Sequence, residues 1–370
     1  MYMENFTNLK NIKKIGKAKK IVLNRVMSFE QCSQYEGEYL TEEFMRHLSK
    51  KNGTKYWLIN FDCDGYIIND DGEEVLAFTY RKNVLDPEVA SEALSNLRKT
   101  AMAKKINRGS FAGVLDKDKM PNYVGEFHNP GKFRTKYYSK VSGKLANQLI
   151  SNISPSNIVG YFDKVDRNLK GAGSNIRSTA FIRDHPEAWH KALPYFQTLH
   201  NIYKYLWNGR EPYEKQLEIA KQIPMAMIPE TIFSTATINY SCQSALHLDK
   251  GNMEGGVAVL SVILDDRNPN TFVGSYLCLP EFGICIDNNH LDILIADNKY
   301  IWHGNTEFVP KNNKIYPMNM DKPNKMPTDQ EIKNNWYFNR FVSVSYIRES
   351  ILDNYVKNAG KYNENDTLGV

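Results

Sequence analysis

Apolar positions fall into two regimes along the chain. Between Pro186 and Gln222, Trp189, Leu193, Phe196, Leu199, Tyr203 and Leu206 recur at helical spacing, and the pattern breaks at Asn208-Gly209 before resuming around Tyr213. This predicts two helices, each with one apolar face to pack on a sheet. From Thr231 onward the pattern shifts to short β-rich runs: Phe233–Tyr240, Val257–Leu264, Gly274–Pro280, Gly283–Ile286, Leu291–Ala296 and Arg340–Ile347. Turn chemistry such as Asp265-Asp-Arg-Asn-Pro269 and Asp287-Asn-Asn289 separates most of them. Short strands spaced in this way predict an α+β fold with a double-stranded β-helix (jelly-roll) core and flanking helices.

The first 155 residues are less periodic. Tyr56–Phe61 reads as a strand and Pro87 to about Lys105 as a helix, while Asn107-Arg-Gly-Ser-Phe-Ala-Gly113 and Asn129-Pro-Gly131 read as loops. Ser154-Pro-Ser-Asn157 reads as a boundary. The expected organisation is an N-terminal α/β region over residues 1–155, with a basic start and packed on the core. A double-stranded β-helix domain follows over 156–355, carrying a Lys/Asn/Pro-rich inserted loop at 310–335, and then a flexible tail over 356–370.

Composition narrows the classes. With 370 residues and 42% of them hydrophobic, the chain can bury a full core. Its longest apolar run, Val257–Leu264, falls far short of the ~20 residues needed to span a bilayer, so no membrane partner is expected. The start of the chain lacks the pattern of a secretory signal, so an intracellular location is expected, and the protein is read as a monomer. Five cysteines without C-x-x-C spacing suggest neither a disulfide framework nor a zinc ribbon. The net charge of +5 is uneven: Lys10, Lys13, Lys14, Lys17, Lys19, Lys20 and Arg25 follow one another with no acid between them. Such a run suits a polyanion, and equally a solvated terminus.

The candidate chemistry begins at His247-Leu-Asp249. Spacing i, i+2 on an extended segment puts both side chains on one face, where they can share a metal. On its own the tripeptide is a weak signal. Its order in the chain adds weight: a strand precedes it, further strands follow, and His303 in Trp302-His-Gly-Asn305 comes after Leu291–Ala296. Two neutral imidazoles and one carboxylate form a facial triad, which leaves coordination positions open for a bidentate oxoacid and for dioxygen. His290, the competing distal histidine, sits in the Asn288-Asn-His290 turn, where a solvated role is expected. A dicarboxylate co-substrate such as 2-oxoglutarate needs a cation at its far end, and a guanidinium provides this bidentately. Arg340 opens the final strand on the same face as Val342, Val344 and Tyr346. Arg348 shares that parity, but it falls where the strand gives way to Glu349-Ser-Ile-Leu-Asp353, so Arg340 is preferred.

In these residues the chain resembles the Tet/JBP branch of 2-oxoglutarate oxygenases, which oxidise the 5-methyl group of thymine or 5-methylcytosine in nucleic acid. The resemblance runs through Gly160-Tyr-Phe-Asp163, Arg177-Ser-Thr-Ala-Phe181, Phe233-Ser-Thr-Ala-Thr-Ile-Asn239, Ala245-Leu-His-Leu-Asp-Lys-Gly-Asn252, Gly274-Ser-Tyr-Leu-Cys-Leu-Pro280, His303-Gly-Asn305 and Arg340–Tyr346. It covers about residues 155 to 350, with Asn107–Gly113 as an earlier outpost. It implies Fe(II) on His247, Asp249 and His303, with 2-oxoglutarate on Arg340 and O2 as the second co-substrate. Arg177, Asn239 and Ser343 are further candidates for the co-substrate. It also implies DNA as partner, with a pyrimidine flipped into the pocket, Asn252 at its polar edge, and Tyr240 or Tyr276 stacking on it. The product would be the 5-hydroxymethyl base, with succinate and CO2. Thymine and 5-methylcytosine both remain open, because the chain shares features with both branches. The Lys10–Arg25 run and the 310–335 loop are the expected DNA-backbone contacts. The interval from His303 to Arg340 is long for the family, the cysteine-rich zinc region of the animal enzymes is absent, and no separate modified-base-binding domain is recognisable. The chain is thus similar to compact viral, phage or protist members. The alternative is a prolyl or lysyl hydroxylase, which would use the same metal and co-substrate but give no reason for Asn252.

Overall fold

The computed structural model describes residues 15, 17–69, 71–120, 124–139, 143–145, 149–164, 175–264, 272–311 and 339–357. Lys10, Lys13 and Lys14 of the basic run, nearly all of the 310–335 insertion and the tail from residue 358 lie outside them. In chain order the first elements are β1 (Lys19–Leu23), α1 (Phe29–Gln34), α2 (Glu42–Ser49), β2 (Leu58–Ile59), β3 (Cys63–Ile68), β4 (Glu74–Arg81), α3 (Pro87–Ala101) and β5 (Lys104–Lys105). A hairpin, β6 (Val124–His128) and β7 (Lys136–Ser139), leads to β8 (Ser154–Lys164), β9 (Asn175–Ser178), α4 (Ala180–Asp184), α5 (Pro186–Trp207) and α6 (Glu211–Gln222). The strand-rich half holds β10 (Thr235–Tyr240), β11 (Ala258–Leu264), β12 (Phe272–Gly274), β13 (Leu277–Leu279), β14 (Ile284–Ile286), β15 (Ile293–Ala296), β16 (Gly304–Asn305), β17 (Phe308–Pro310) and β18 (Arg340–Tyr346), followed by α7 (Glu349–Lys357).

The helical periodicity reads true. Gly209, at φ +79°, takes the left-handed conformation that ends α5, and α6 restarts at Glu211. Asp86 caps α3 by accepting from the Glu88 and Val89 amides, with Pro87 at the first helical position. That helix stops at Ala101, short of the expected Lys105, because Lys104 and Lys105 pair with the start of β8. No helix among the described residues is long and apolar enough to cross a membrane.

The major sheet has the order β1-β3-β4-β15-β11-β18-β10-β8-β5, with β9 on β8, and a smaller sheet runs β16-β13-β14-β2. Along β11, Val259 and Ile263 face the helices while Leu260, Val262 and Leu264 face the smaller sheet. On the helix side, Phe196, Leu199 and Tyr203 of α5 and Leu94 and Leu97 of α3 cover Ile238, Ile295 and Phe341. On the other side, Leu277, Leu279, Ile284 and Ile286 pack against Leu260, Val342 and Val344. Each such buried side chain contributes about 1.5–3 kcal/mol. The result is the jelly-roll core with helices on its outer face.

The N-terminal region does more than pack on this core. Strands β1, β3 and β4 extend the major sheet beyond β15, and β2 pairs with β14 in the smaller one. Ser154-Pro-Ser-Asn157, expected to mark a boundary, is instead the start of β8, where Ser156 and Asn157 pair with Asn239 and Ile238. Proline and serine there mimic a loop because Pro155 sits against the two-residue strand β5, where one missing donor costs little. The strand expected over Tyr56–Phe61 shrinks to Leu58–Ile59, and Gly274–Pro280 divides into β12 and β13.

Candidate metal centre

After β10 the chain turns at Ser241 (φ +49°) and reaches His247 through an irregular segment. His247 and His303 face each other as an antiparallel bridge: the His247 amide donates to the His303 carbonyl at 2.9 Å, and the reverse bond is 3.1 Å. Gly304 permits this approach, because a Cβ there would lie 3.0–3.1 Å from the backbone of Ala245 and Leu246. The Asp249 amide donates to the Asn298 carbonyl at 2.9 Å, and its carboxylate lies at the Nε2 edge of both rings.

The imidazole centroids are 4.3 Å apart. His247 Nε2 lies 3.6 Å from Asp249 Oδ1, and His303 Nε2 lies 3.7 Å from Oδ2. The three donor atoms fall within 4.8 Å of one another. Each ring's Nδ1 sits 2.8 Å from a backbone carbonyl, that of Ala245 for His247 and of Ile301 for His303, which fixes the proton on Nδ1 and turns the Nε2 lone pair inward. Burial alone would raise the Asp249 pKa, but the two imidazoles beside it outweigh burial and hold the carboxyl far below the ordinary range. Burial works against a charged His303, yet the Asp249 carboxylate wins and raises its pKa. Two oriented nitrogens and an ionised carboxylate are the donor set of a divalent first-row metal.

The cluster opens into a cavity of about 640 Å³. Asn239, Asn252, Arg108 and Arg340 also line it. Asn239 Oδ1, Asn252 Nδ2 and Arg108 Nε are buried with no hydrogen-bond partner in the protein, as expected of groups that wait for a ligand. Arg340 is 4% exposed; burial lowers its pKa to about 10, with Asp287 and Asp292 pulling the other way, so it stays cationic at neutral pH. Its Nη2 donates a long bond to the Asn288 carbonyl at 3.4 Å. Arg348 also reaches the cavity, but it is paired with Asp163 at 3.2 Å and bonded to Ser350.

Four residues expected at the site lie elsewhere. Ser343 faces the helices, where its hydroxyl meets Tyr195 Oη at 2.6 Å, because alternation along β18 points it away from Arg340. Tyr240 is buried in the helix-side core. Tyr276 packs edge-on against Trp57 at 6.0 Å and lines a separate cavity of about 190 Å³. Arg177 sits on β9 opposite Phe162 and does not line the large cavity. His290 stays outside the cluster, with Nδ1 accepting the Leu264 amide at 3.0 Å. Conversely, sequence reasoning passed over Arg108 and Phe111, both in the cavity wall. The signal for them was the Asn107–Gly113 segment, noted only as a loop and as an outpost of the resemblance.

A comparison with known families bears on this arrangement. Residues 157–325 match the Tet/JBP model, described as the oxygenase domain of the 2OGFeDO superfamily. That segment is similar to a Tet/JBP oxygenase domain. The superfamily uses Fe(II), 2-oxoglutarate and O2, and the His-Asp-His donor set above fits the iron. The Tet/JBP match includes all three metal-donor residues and Asn252 but ends before Arg340. Thymine dioxygenase JBP1 of Trypanosoma brucei brucei is 29% identical over 170 residues, covering 45% of this chain and 18% of that protein. Thymine dioxygenase JBP1 of Leishmania infantum is 28% identical over 206 residues, 55% of this chain and 23% of that protein. The chain thus spans about a fifth of the length of these relatives. The solved structure of NgTET1 in complex with 5mC DNA covers 87% of this chain and 91% of its own at 10% identity and a TM-score of 0.34, too distant a likeness to carry an argument.

Proposed function

We propose that this chain is an Fe(II)/2-oxoglutarate-dependent dioxygenase that hydroxylates the 5-methyl group of a pyrimidine in DNA, giving the 5-hydroxymethyl base with succinate and CO2. The observation that carries it is the His247, Asp249 and His303 cluster inside a segment that matches the Tet/JBP oxygenase domain, opening on a cavity lined by the buried Arg340 guanidinium. The thymine dioxygenase relatives favour thymine over 5-methylcytosine as the base.

In this reading His247, Asp249 and His303 hold the iron, which with 2-oxoglutarate and dioxygen supplies the oxidising chemistry when bound. Arg340 binds the far carboxylate of the co-substrate, with Asn239 beside it. Val342, Val344 and Leu260 form an apolar wall that keeps water from the reacting carbon. A volume of about 640 Å³ lies within the range of small-molecule sites and leaves space for a base beside the co-substrate. A methyl group stacked in a duplex cannot reach a metal at the bottom of such a cavity, so the base must be extruded into it, where the free Asn252 amide meets its polar edge. The protein's task is mainly one of positioning.

The test is mass spectrometry of nucleosides from thymine-containing and 5-methylcytosine-containing DNA incubated with the protein, Fe(II) and 2-oxoglutarate, with Asp249→Ala as control. A 5-hydroxymethyl nucleoside that depends on Asp249 is expected. Unchanged nucleosides alongside active 2-oxoglutarate decarboxylation would instead point to the protein-hydroxylase alternative.

A further inference from the structure

Three described cations of the basic run near the start of the chain already have partners within the protein. Of its described members, Lys20 pairs with Glu74, Lys19 donates to the Tyr56 hydroxyl, and Arg25 pairs with Glu281 at 3.4 Å. A second basic segment lies further along. Between His128 and Ile150 the sequence holds Lys132, Arg134, Lys136, Lys140 and Lys144 with no aspartate or glutamate, interleaved with Phe133, Tyr137 and Tyr138. Those five cations equal the net charge of the whole chain, so the rest of the molecule is neutral on balance.

The fold carries this segment to the cavity mouth. The connection between β6 and β7 turns at Asn129 (φ +46°), and the Gly131 amide closes its tip on the Arg134 carbonyl at 2.9 Å. Gly131, Phe133 and Arg134 line the same cavity as His247 and Asp249. The tip is held in register with the metal centre. The Phe133 ring lies where a Cβ on Gly37 would be, and the Gly37 amide donates to the Leu246 carbonyl at 2.8 Å, one residue before His247. The Leu115 amide holds the Lys132 carbonyl at 3.0 Å, leaving the Lys132 side chain exposed. Arg134 is likewise exposed, with its guanidinium over Gly109, next to Arg108. The adjoining turn at Asp116-Lys-Asp-Lys119 is balanced in charge and adds nothing to the field.

Cations alternating with aromatic rings, with no acid among them, fit a chain of phosphates and unstacked bases. A nucleotide can be held extruded only if the strand beside it is gripped at the mouth. We infer that the Lys132–Lys136 tip of the β6–β7 hairpin is the surface that grips the DNA strand flanking the extruded base, with Lys132, Arg134 and Lys136 on phosphates and Phe133 forming the apolar edge of the mouth. This rests on the DNA-oxidising reading above.

The test compares wild type with the Lys132→Ala/Arg134→Ala/Lys136→Ala variant and with the single exposed Lys132→Glu change. Binding of a fluorescent single-stranded thymine oligonucleotide is followed by anisotropy across a salt series, and Co(II) with 2-oxoglutarate is titrated calorimetrically as the check on folding. The triple variant is expected to lose about tenfold or more in DNA affinity and to flatten the dependence of log Kd on log salt by roughly two, at ~0.7 per phosphate contact on single strands. Lys132→Glu is expected to weaken binding in the same direction, with Co(II) and 2-oxoglutarate binding unchanged in both. Variants that bind and oxidise DNA like wild type would overturn the hairpin surface and leave the enzymatic reading standing. A wild type that neither binds the oligonucleotide nor modifies it would overturn both.

Discussion

Phe111 meets His247 edge-on, with ring centroids 5.1 Å apart and planes at 89°, and the Phe111 carbonyl accepts the amide of Ala245 at 3.0 Å. A segment far upstream of the metal cluster thus fixes both the backbone and the ring of one of its members. Phe111→Ala is expected to weaken Co(II) or Fe(II) binding by about tenfold, the lower end of what outer partners of a metal ligand contribute. Calorimetric titration measures it, and a thermal melt shows whether the fold is retained.

Four arginines line the cavity, and two of them, Arg340 and Arg108, differ in kind. Arg340 is buried and feels the carboxylates of Asp287 and Asp292, whereas Arg108 lies on the N-terminal side with its Nε unsatisfied. Arg340→Lys is expected to raise the 2-oxoglutarate Kd by about ten- to a hundredfold, because an ammonium cannot reproduce the bidentate fork. Arg108→Lys is expected to change it less. A reversed ranking in a calorimetric comparison would transfer the anchor to Arg108.

Asn252 offers an amide with a free, buried Nδ2, while its backbone amide is used by the Asp249 carbonyl at 3.0 Å. Asn252→Ala is expected to lower kcat/KM for DNA by roughly ten- to a hundredfold, the loss of one or two hydrogen bonds to the base, and to leave 2-oxoglutarate affinity unchanged. Equal losses in both measurements would remove Asn252 from the base-binding role.

Ser343 belongs to a buried hydroxyl cluster with Tyr195 and Ser261, on the far side of the strand from Arg340. Ser343→Ala is expected to lower stability by about 1 kcal/mol in urea denaturation and to leave co-substrate binding untouched. A weakened 2-oxoglutarate Kd without loss of stability would restore Ser343 to the site.

Asp292 is 1% exposed and accepts from the Tyr80 hydroxyl and from the amides of Asn83 and Asn289. Burial nonetheless dominates and pushes its carboxyl up from 3.8 to about 6. Folded protein therefore holds this proton more tightly than unfolded chain, so stability from this group is full below pH 3.8 and falls as pH rises through about 6. The loss is roughly 3 kcal/mol. Asp292→Asn is expected to flatten the slope of urea midpoint against pH between 4 and 6, and an unchanged slope would contradict the assignment.

Much of this was written locally. The i, i+2 spacing of His247 and Asp249, the apolar alternation of β11 and β18 and the break at Asn208-Gly209 all depend on near neighbours, and all appear in the fold. The same alternation already separated Ser343 from Arg340, since odd and even positions of a strand face opposite ways. Parity left Arg340 and Arg348 equivalent; the end of β18 at Tyr346, the deeper burial of Arg340 and the Asp163 partner of Arg348 set them apart.

By itself, then, the sequence determined the periodic elements, the H-x-D face and the approximate place of the distal histidine. Tertiary structure decided the rest. It placed His303 directly across from His247, drew β1, β3 and β4 into the major sheet, and made Ser154–Asn157 a strand despite its turn-like residues. It also brought Arg108, Phe111 and the Lys132–Arg134 tip to one cavity. Periodicity records which side of an element is buried, whereas a cavity is closed by contacts between segments far apart in the chain, and no local pattern encodes those.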